Sequence, residues 1–264
     1  MTIQVLISCM YEKDRSIVQR SKVQSDCIVV NQCDTDSIEE FSFLNDTGQI
    51  CKVLFINTTE RGLSKSRNLA IRNSWADICL VCDDDEILTS GYVNAIEKAY
   101  ITRPESDVIA FAISCDQYTR TYSKTSKKLR IKEILKTSSQ QITFKRNSIE
   151  GKRIFFDEKM GSGTGNGPGE ETMFLLTCKK NGLALFYNPF CVATICKGDS
   201  KWFNGYTEKF FQNQGWTDRR LLGPILGFIY ILYWSIFRRA EYKKDGLSVY
   251  SALKNSLVGY FSKR

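Results

Sequence analysis

Residues 78–86 read Ile78-Cys79-Leu80-Val81-Cys82-Asp83-Asp84-Asp85-Glu86, an apolar run that ends in four carboxylates. A short apolar run without alternation predicts a strand buried on both faces. Comparable runs lie on either side: Ile3 to Ile7, Cys27 to Val30, Val53 to Ile56 and Val108 to Ile113. Between them the apolar spacing turns helical. Leu69, Ala70 and Trp75 mark a helix from Leu63 to Trp75, and Asp14 can cap one through about Ser25. Thr89 or Ser90 can cap another, running to about Thr102 and stopping before Pro104. Strands that alternate with helices predict crossover units, hence an α/β fold with a mostly parallel sheet covered on both faces. In such sheets ligands bind beyond the carboxyl ends of the strands, where Asp83 to Glu86 fall.

Downstream the pattern loosens. Asp116 to Lys136 is polar and basic, and reads as loop or edge structure. Ile142 to Phe144 predicts a short strand, and Gly161 to Gly169 a glycine-rich loop. A helix should run from Glu170 to Asn181, with Gly182 as its C-cap. Leu183 to Tyr187 and Val192 to Ile195 read as two more strands. The composition shifts near residue 200, so we expect a catalytic domain over 1–215 and a helical region over 216–264.

The chain has 264 residues, 42% hydrophobic and 25% charged, which excludes disordered and low-complexity classes. It has no histidine, which removes His-based nucleophile pairs and His-ligated metal sites. The ten cysteines include one CxxC, Cys79 and Cys82, without a second pair to complete a zinc site. With no secretory signal before the first strand, they read as small buried residues in a reducing cytosol. From Asp218 onward nine basic residues face three acidic ones, so +6 of the net +8 lies there. These charges flank an apolar segment, a pattern that suits an anionic membrane surface and not a nucleic acid.

Crowded carboxylates repel one another, and a divalent cation between them relieves the repulsion. Hard oxygen ligands select Mg²⁺ or Mn²⁺, which bridge to phosphate oxygens. A solvated acidic turn capping the next helix would use the same residues. The Gly161 to Gly169 stretch lacks GK[ST] and GxGxxG, and Ser8-Cys9-Met10-Tyr11 has no glycine, so neither is a dinucleotide or P-loop turn. The loop instead delivers Glu170 and Glu171 to a helix start, where the dipole favours their ionised forms.

Two blocks in combination carry a family resemblance. Arg61-Gly62-Leu63-Ser64-Lys65-Ser66-Arg67-Asn68-Leu69-Ala70, followed by the strand and Asp83-Asp84-Asp85, resembles the helix and DxD of inverting family 2 glycosyltransferases. Phe155-Phe156-Asp157-Glu158-Lys159-Met160-Gly161, then Gly169-Glu170-Glu171-Thr172, is similar to that family's second block, FDExxGxG followed by GEDTxFLL. The resemblance implies a GT-A fold, Rossmann-like, around a nucleotide-sugar crevice. It implies Asp83 on the ribose or metal, Asp85 on a Mn²⁺ or Mg²⁺ ion, and Asp84, Arg67 and Tyr11 near the nucleotide. Asn31 and Gln32 stand where relatives carry aspartates that touch uracil. Glu171 falls at the place of the catalytic base, with Glu170 beside it, and the residues alone do not choose between them. Relatives' histidine after the last strands is replaced by the Ile195-Cys196-Lys197 neighbourhood. By resemblance the substrates are a nucleotide-sugar donor, UDP-linked, and a lipid-linked saccharide acceptor in bacterial surface-polysaccharide synthesis. A nucleotidyltransferase on a similar fold, or a non-catalytic membrane adaptor, is the alternative. A homo-oligomer stays open.

Leu221 to Phe237 holds 17 residues without a charge. As one helix it would span about 26 Å, against about 30 Å for the hydrocarbon core. Arg219-Arg220 and Arg238-Arg239 bracket it, and Trp216, Tyr230, Tyr233 and Trp234 suit a membrane interface. Val249, Leu253, Leu257 and Tyr260 predict one apolar stripe of a last helix, with Lys254 and Asn255 turned away. Helices lying in the plane of the cytoplasmic leaflet, or partly inserted into it, are the first expectation; a true span and a buried helix follow.

Overall fold

The computed structural model describes residues 1–115, 121–196 and 205–263. It divides into two compact units, Met1–Asp157 with Glu171–Gly198, and Glu158–Glu170 with Asp199–Arg264. The expected boundary lay at 215/216. The glycine-rich loop groups with the tail because Gly167 and Gly169 lie against Thr217 and Leu221, so closely that a Cβ on Gly167 would overlap the Thr217 hydroxyl.

The first unit is built on β1 (Ile3–Met10), α1 (Ile17–Arg20), β2 (Asp26–Gln32), β3 (Ser37–Leu44), β4 (Ile50–Thr58), α2 (Leu63–Arg72), β5 (Ile78–Asp83), β6 (Glu86–Leu88) and α3 (Tyr92–Thr102). There follow β7 (Val108–Cys115), β8 (Lys127–Lys128), α4 (Ile131–Ile134), β9 (Ile142–Lys145), α5 (Arg146–Gly151), α6 (Glu170–Lys180) and β10 (Leu185–Ile195). Among the described residues the sheet order is β3-β4-β2-β1-β5-β9-β7-β10-β6. The β4-β2-β1-β5 block is parallel throughout. β9 pairs antiparallel with both β5 and β7, and β10 is parallel to β7. Successive strand side chains go to opposite faces. Val5 and Ile7 therefore join one core with α1 and α3, while Leu6 and Ile28 join another with α2, α5 and α6. This is the mostly parallel, doubly covered α/β sheet expected.

Several local expectations change. The helix expected up to Ser25 stops at Arg20. Lys22 takes a left-handed φ of 51°, and the Val23 and Lys22 amides donate back to Val18 and Gln19, which closes a Schellman motif. β3 was not expected, because its residues are mostly exposed and two are acidic. It is an edge strand hairpinned onto β4. The two strands expected over 183–195 are one, β10, bulged between Asn188 and Cys191 around Pro189. Of the segment 116–136, residues 116–120 lie outside those described, and the rest holds β8 and α4. Cys79 and Cys82 point into opposite cores, so they cannot ligate one ion. Burial pushes the Cys79 thiol up to about 12 and Cys82 up as well, so both are packing residues.

The second unit holds α7 (Glu208–Phe237), α8 (Arg239–Tyr242) and α9 (Val249–Phe261). α7 is long and apolar enough to cross a membrane by composition, but it is not one rod. Gly223 has φ 78° and ψ −178°, and Pro224 follows, suited to the first position of a new helix. Residues 224–237 fold back on 208–222: Phe211 meets Trp234 at 5.7 Å, and a Cβ on Gly227 would lie 2.7 Å from the Asp218 carbonyl oxygen. The second arm, 14 residues or about 21 Å long, falls short of the bilayer core. Residues 221–237 are thus not one straight helix but the turn and second arm of a helical hairpin.

α9 packs on the first arm through small residues. A Cβ on Gly215 would overlap the Ser256 carbonyl oxygen, and one on Gly259 the Gln212 carbonyl oxygen. Asn255, expected outside, is buried and accepts from Gln212 Nε2 at 2.9 Å. Close helix approach selects glycine and serine for the inner face, so the apolar stripe is left only partly covered. Trp216 is buried under the Arg220 guanidinium, and Trp234 stacks on Tyr242 inside an aromatic cluster; neither is an outward interface ring. Tyr230 and Tyr233 are exposed, as expected.

Candidate active site

β5 ends at Asp83, at the carboxyl edge of the parallel block. Its neighbours on that edge come from β1 and from α2. Gly62, at φ 128°, opens α2, and its amide donates to Gln32 Oε1 at 2.7 Å. That bond anchors the start of the helix that carries Arg67. Arg67 is 2% exposed, and its Nη2 donates to Asp83 Oδ1 at 2.8 Å and Oδ2 at 3.1 Å. Asp83 Oδ2 also accepts from Gln140 Nε2 at 3.1 Å and Ser139 Oγ at 3.4 Å. Charge-assisted bonds of this kind fix the orientation of a carboxylate.

The four acidic residues thus separate into distinct roles. Asp83 is compensated by Arg67. Glu86 is buried, and its Oε1 accepts the Asp83 amide at 2.7 Å. Burial first, then the Asp83 charge, push the Glu86 carboxyl well above the usual range. Asp84 is exposed as a residue, yet the protein around its carboxyl and the Asp83 charge raise it too. Asp85 is held at its backbone, where its carbonyl accepts the Cys196 amide at 2.8 Å. Among the described residues no three His, Cys, Asp or Glu side chains converge on a metal position. Asp83 and Asp85 both carry hard carboxylate oxygens at this turn.

Asn31 does not present a free amide to a base, and Gln32 has its side-chain carbonyl engaged. Both Asn31 amide hydrogens are spent, on Glu12 O at 2.9 Å and Asn57 Oδ1 at 2.8 Å, and its Oδ1 accepts from Glu12 N. Gln32 Oε1 is taken by Gly62. Each is buried and ties the loop after β1, or the start of α2, to β2. Tyr11 is 55% exposed, with φ 56°, a strained conformation for an aromatic residue. Arg61 lies over its ring at 5.4 Å, and Arg61 Nη2 and the Tyr11 hydroxyl both reach Asp34 Oδ1, at 2.7 and 3.2 Å. Asp34 was missed, although it lies only two residues beyond Gln32. Ser139 and Gln140 were missed as well, since nothing nearby in the sequence marks them as partners of an aspartate 56 residues away.

The two glutamates also separate. Glu170 is buried and turned back on its own loop: its Oε2 accepts the Gly169 amide at 3.1 Å, and a Cβ on Gly161 would lie 3.0 Å from its carboxyl. Glu171 is half-buried and lies one helical turn before Phe174. Phe174 stacks on Phe156 at 4.4 Å, and the Arg67 guanidinium lies 5.3 Å from that Phe156 ring. Asn68 secures the same ring's backbone in both directions, at 2.8 and 2.9 Å. One packed column therefore links α6 to the arginine that holds Asp83.

Comparison with known proteins agrees with this architecture. The family model described as "Glycosyl transferase family 2" matches residues 15–163, more than half of the chain. No curated protein matches. Among solved structures, S. aureus TarS 1-349 in complex with UDP-GlcNAc shares the fold with a TM-score of 0.61 at 16% identity, covering 98% of this chain and 89% of that one. The same protein in complex with UDP gives 0.58 at 16% identity with the same coverage. The chain belongs to glycosyl transferase family 2.

Proposed function

We propose that this family 2 glycosyltransferase moves a hexose, with inversion, from a UDP-sugar to a hydroxyl of a lipid-linked glycan in bacterial surface-polysaccharide synthesis. The observation that carries the reading is the column Phe174–Phe156–Arg67–Asp83, which ties the helix of Glu171 to a clamped aspartate at the sheet's carboxyl edge. The UDP-GlcNAc complex of TarS, whose fold the chain shares, makes a UDP-sugar the first donor to try.

Tyr11, Arg61 and Asp34 form the base-side platform, with Asp34 in the role expected of Asn31 and Gln32. Arg67 acts as a positioning residue, holding Asp83 toward the ribose and diphosphate. Asp85, with Asp83, would hold Mn²⁺ or Mg²⁺ on the diphosphate. Such an ion supplies charge stabilisation for the departing nucleotide. Glu171 takes the proton of the acceptor hydroxyl as its oxygen bonds to the anomeric carbon and the diphosphate leaves from the opposite face. Glu170, engaged by its own loop, shapes that loop and takes no proton.

The test is a pair of substitutions. Glu171→Gln should leave donor affinity unchanged and cut kcat by about 100-fold or more, while Glu170→Gln should keep most turnover. The reverse ranking would move the base by one residue. Asp85→Asn should abolish Mn²⁺-dependent donor binding; unchanged binding would remove the cation from this turn.

The tail supports attachment to the cytoplasmic face of a membrane, peripheral or monotopic. Ile225, Leu226, Ile229 and Phe237 of the second arm are between 54% and 74% exposed, and Arg219, Arg220, Arg238 and Arg239 stand at its ends. An amphipathic hairpin of this kind lies in the interface, with basic residues on anionic headgroups.

A further inference from the structure

We propose that a cavity in the sheet unit, apart from the Asp83 edge, binds a phosphate-bearing saccharide and so defines the acceptor class. This rests on the transferase reading above. The cavity has a volume of about 480 Å³ and is lined by Tyr122, Tyr187, Lys127, Lys132, Lys136 and Gln141, among others. It is large enough for one or two sugar rings.

Its lining combines two chemistries. Tyr122 and Tyr187 stack at 6.2 Å with 14° between their planes, and the buried Tyr187 is held by its hydroxyl donating to Ser123 O at 3.2 Å. Such a rigid aromatic surface offers the apolar face that a pyranose ring packs against. The lining also includes three lysines. Lys127 and Lys132 share Glu133, at 3.3 and 3.9 Å, and Lys136 has no ion-pair partner among the described residues. Three cations against one anion leave the cavity at +2, in a stretch, 121–136, with six basic residues and that single acid. A double positive charge matches a phosphate better than a single carboxylate, and lysine binds phosphate as a mobile point charge.

The cavity is tied to the donor edge by one turn. In Ser139–Gln141, Ser139 and Gln140 hold the Asp83 carboxylate, while the next side chain, Gln141, lines the cavity and donates to Phe111 O at 2.6 Å. An occupant is thus placed beside the element that fixes Asp83, as an acceptor requires.

The experiment is calorimetric titration of the full chain, with UDP and Mn²⁺ saturating. Four probes of equal length are used: an oligosaccharide 1-diphosphate, as at a lipid-linked end; a phosphodiester-bridged oligosaccharide, as inside a polymer; a neutral oligosaccharide; and one carrying glucuronate. At least one phosphorylated probe should bind ten-fold or more tighter than the neutral one, and which of the two does so identifies the source of the phosphate. That preference should shrink in high salt and vanish in the exposed double variant Lys132→Glu/Lys136→Glu, with UDP affinity kept within two-fold. Tyr122→Ala should weaken the phosphorylated and neutral probes alike. Equal binding of the neutral or glucuronate probe, or an unaffected double variant, would overturn the proposal. If phosphorylated probes bind as expected but no UDP-sugar is turned over, the transferase reading fails and this site stands.

Discussion

The sheet unit and the tail pack by opposite rules. In the sheet unit the large side chains are inside: Phe111, Phe144, Phe156 and Phe174 are fully buried, and the one buried guanidinium singled out here, Arg67, is matched by a carboxylate. In the tail hairpin, glycine, serine and asparagine occupy the tight inner seam, while Ile225, Phe237 and Tyr250 stand more than 70% exposed. The first arrangement is what water imposes, since burial of large apolar groups dominates stability there. The second is the packing used where the surroundings are themselves apolar and helices associate by close backbone contact. The contrast teaches that a run of apolar residues is not by itself a core: in one unit it is the inside, in the other an outer face.

Four measurements can break or sharpen that contrast. The largest effect should come from the sheet unit. Arg67→Met strands Asp83 without its partner and should cost about 3–5 kcal/mol, read by denaturant unfolding, with loss of donor binding. A cost under about 1 kcal/mol would mean that the pair does not organise the edge. Next, Gly259→Val forces a side chain into the Gln212 carbonyl and should cost the tail about 3 kcal/mol, seen as earlier proteolysis within 199–263. Tolerance of valine there would show that the seam is not tight.

The third measurement concerns Asp218, buried in the tail with Gln214 donating to its Oδ1 at 2.6 Å. Burial raises its carboxyl from 3.8 to about 7. The folded tail therefore holds a proton that the unfolded chain releases, and stability falls as pH rises from about 4 to about 7, then levels off, at up to about 1.4 kcal/mol per pH unit. Asp218→Asn should flatten this slope; a slope identical to that of the unaltered chain would assign it elsewhere. The smallest effect on stability should come from Ile225→Ser with Phe237→Ser, within about 0.5 kcal/mol. The same pair should release the chain from vesicles containing phosphatidylglycerol. Retained vesicle binding would leave the exposed arm without its proposed medium.

Much of the sheet unit was legible in advance because its determinants are local. Buried parallel strands announce themselves as short apolar runs, and the DxD turn follows its strand directly. The edge strand β3 escaped because a wet strand carries no such run. Asp34, Ser139 and Gln140 escaped because their meaning lies in the partner, and the partner is far away in sequence. The internal bonds of Asn31 were hidden for the same reason: an amide looks available until its hydrogen bonds are counted.

The buried parallel strands and the helices between them, the acidic turn at a strand's carboxyl end and the basic, apolar tail were determined by the sequence itself, since periodicity and charge are properties of neighbouring residues. Only the tertiary structure decided which of four acidic residues carries its charge beside an arginine, which of two glutamates is turned into its own loop, and that 30 helical residues fold into a hairpin at Gly223. Those outcomes depend on burial and on contacts between distant segments, and these exist only once the chain has closed on itself.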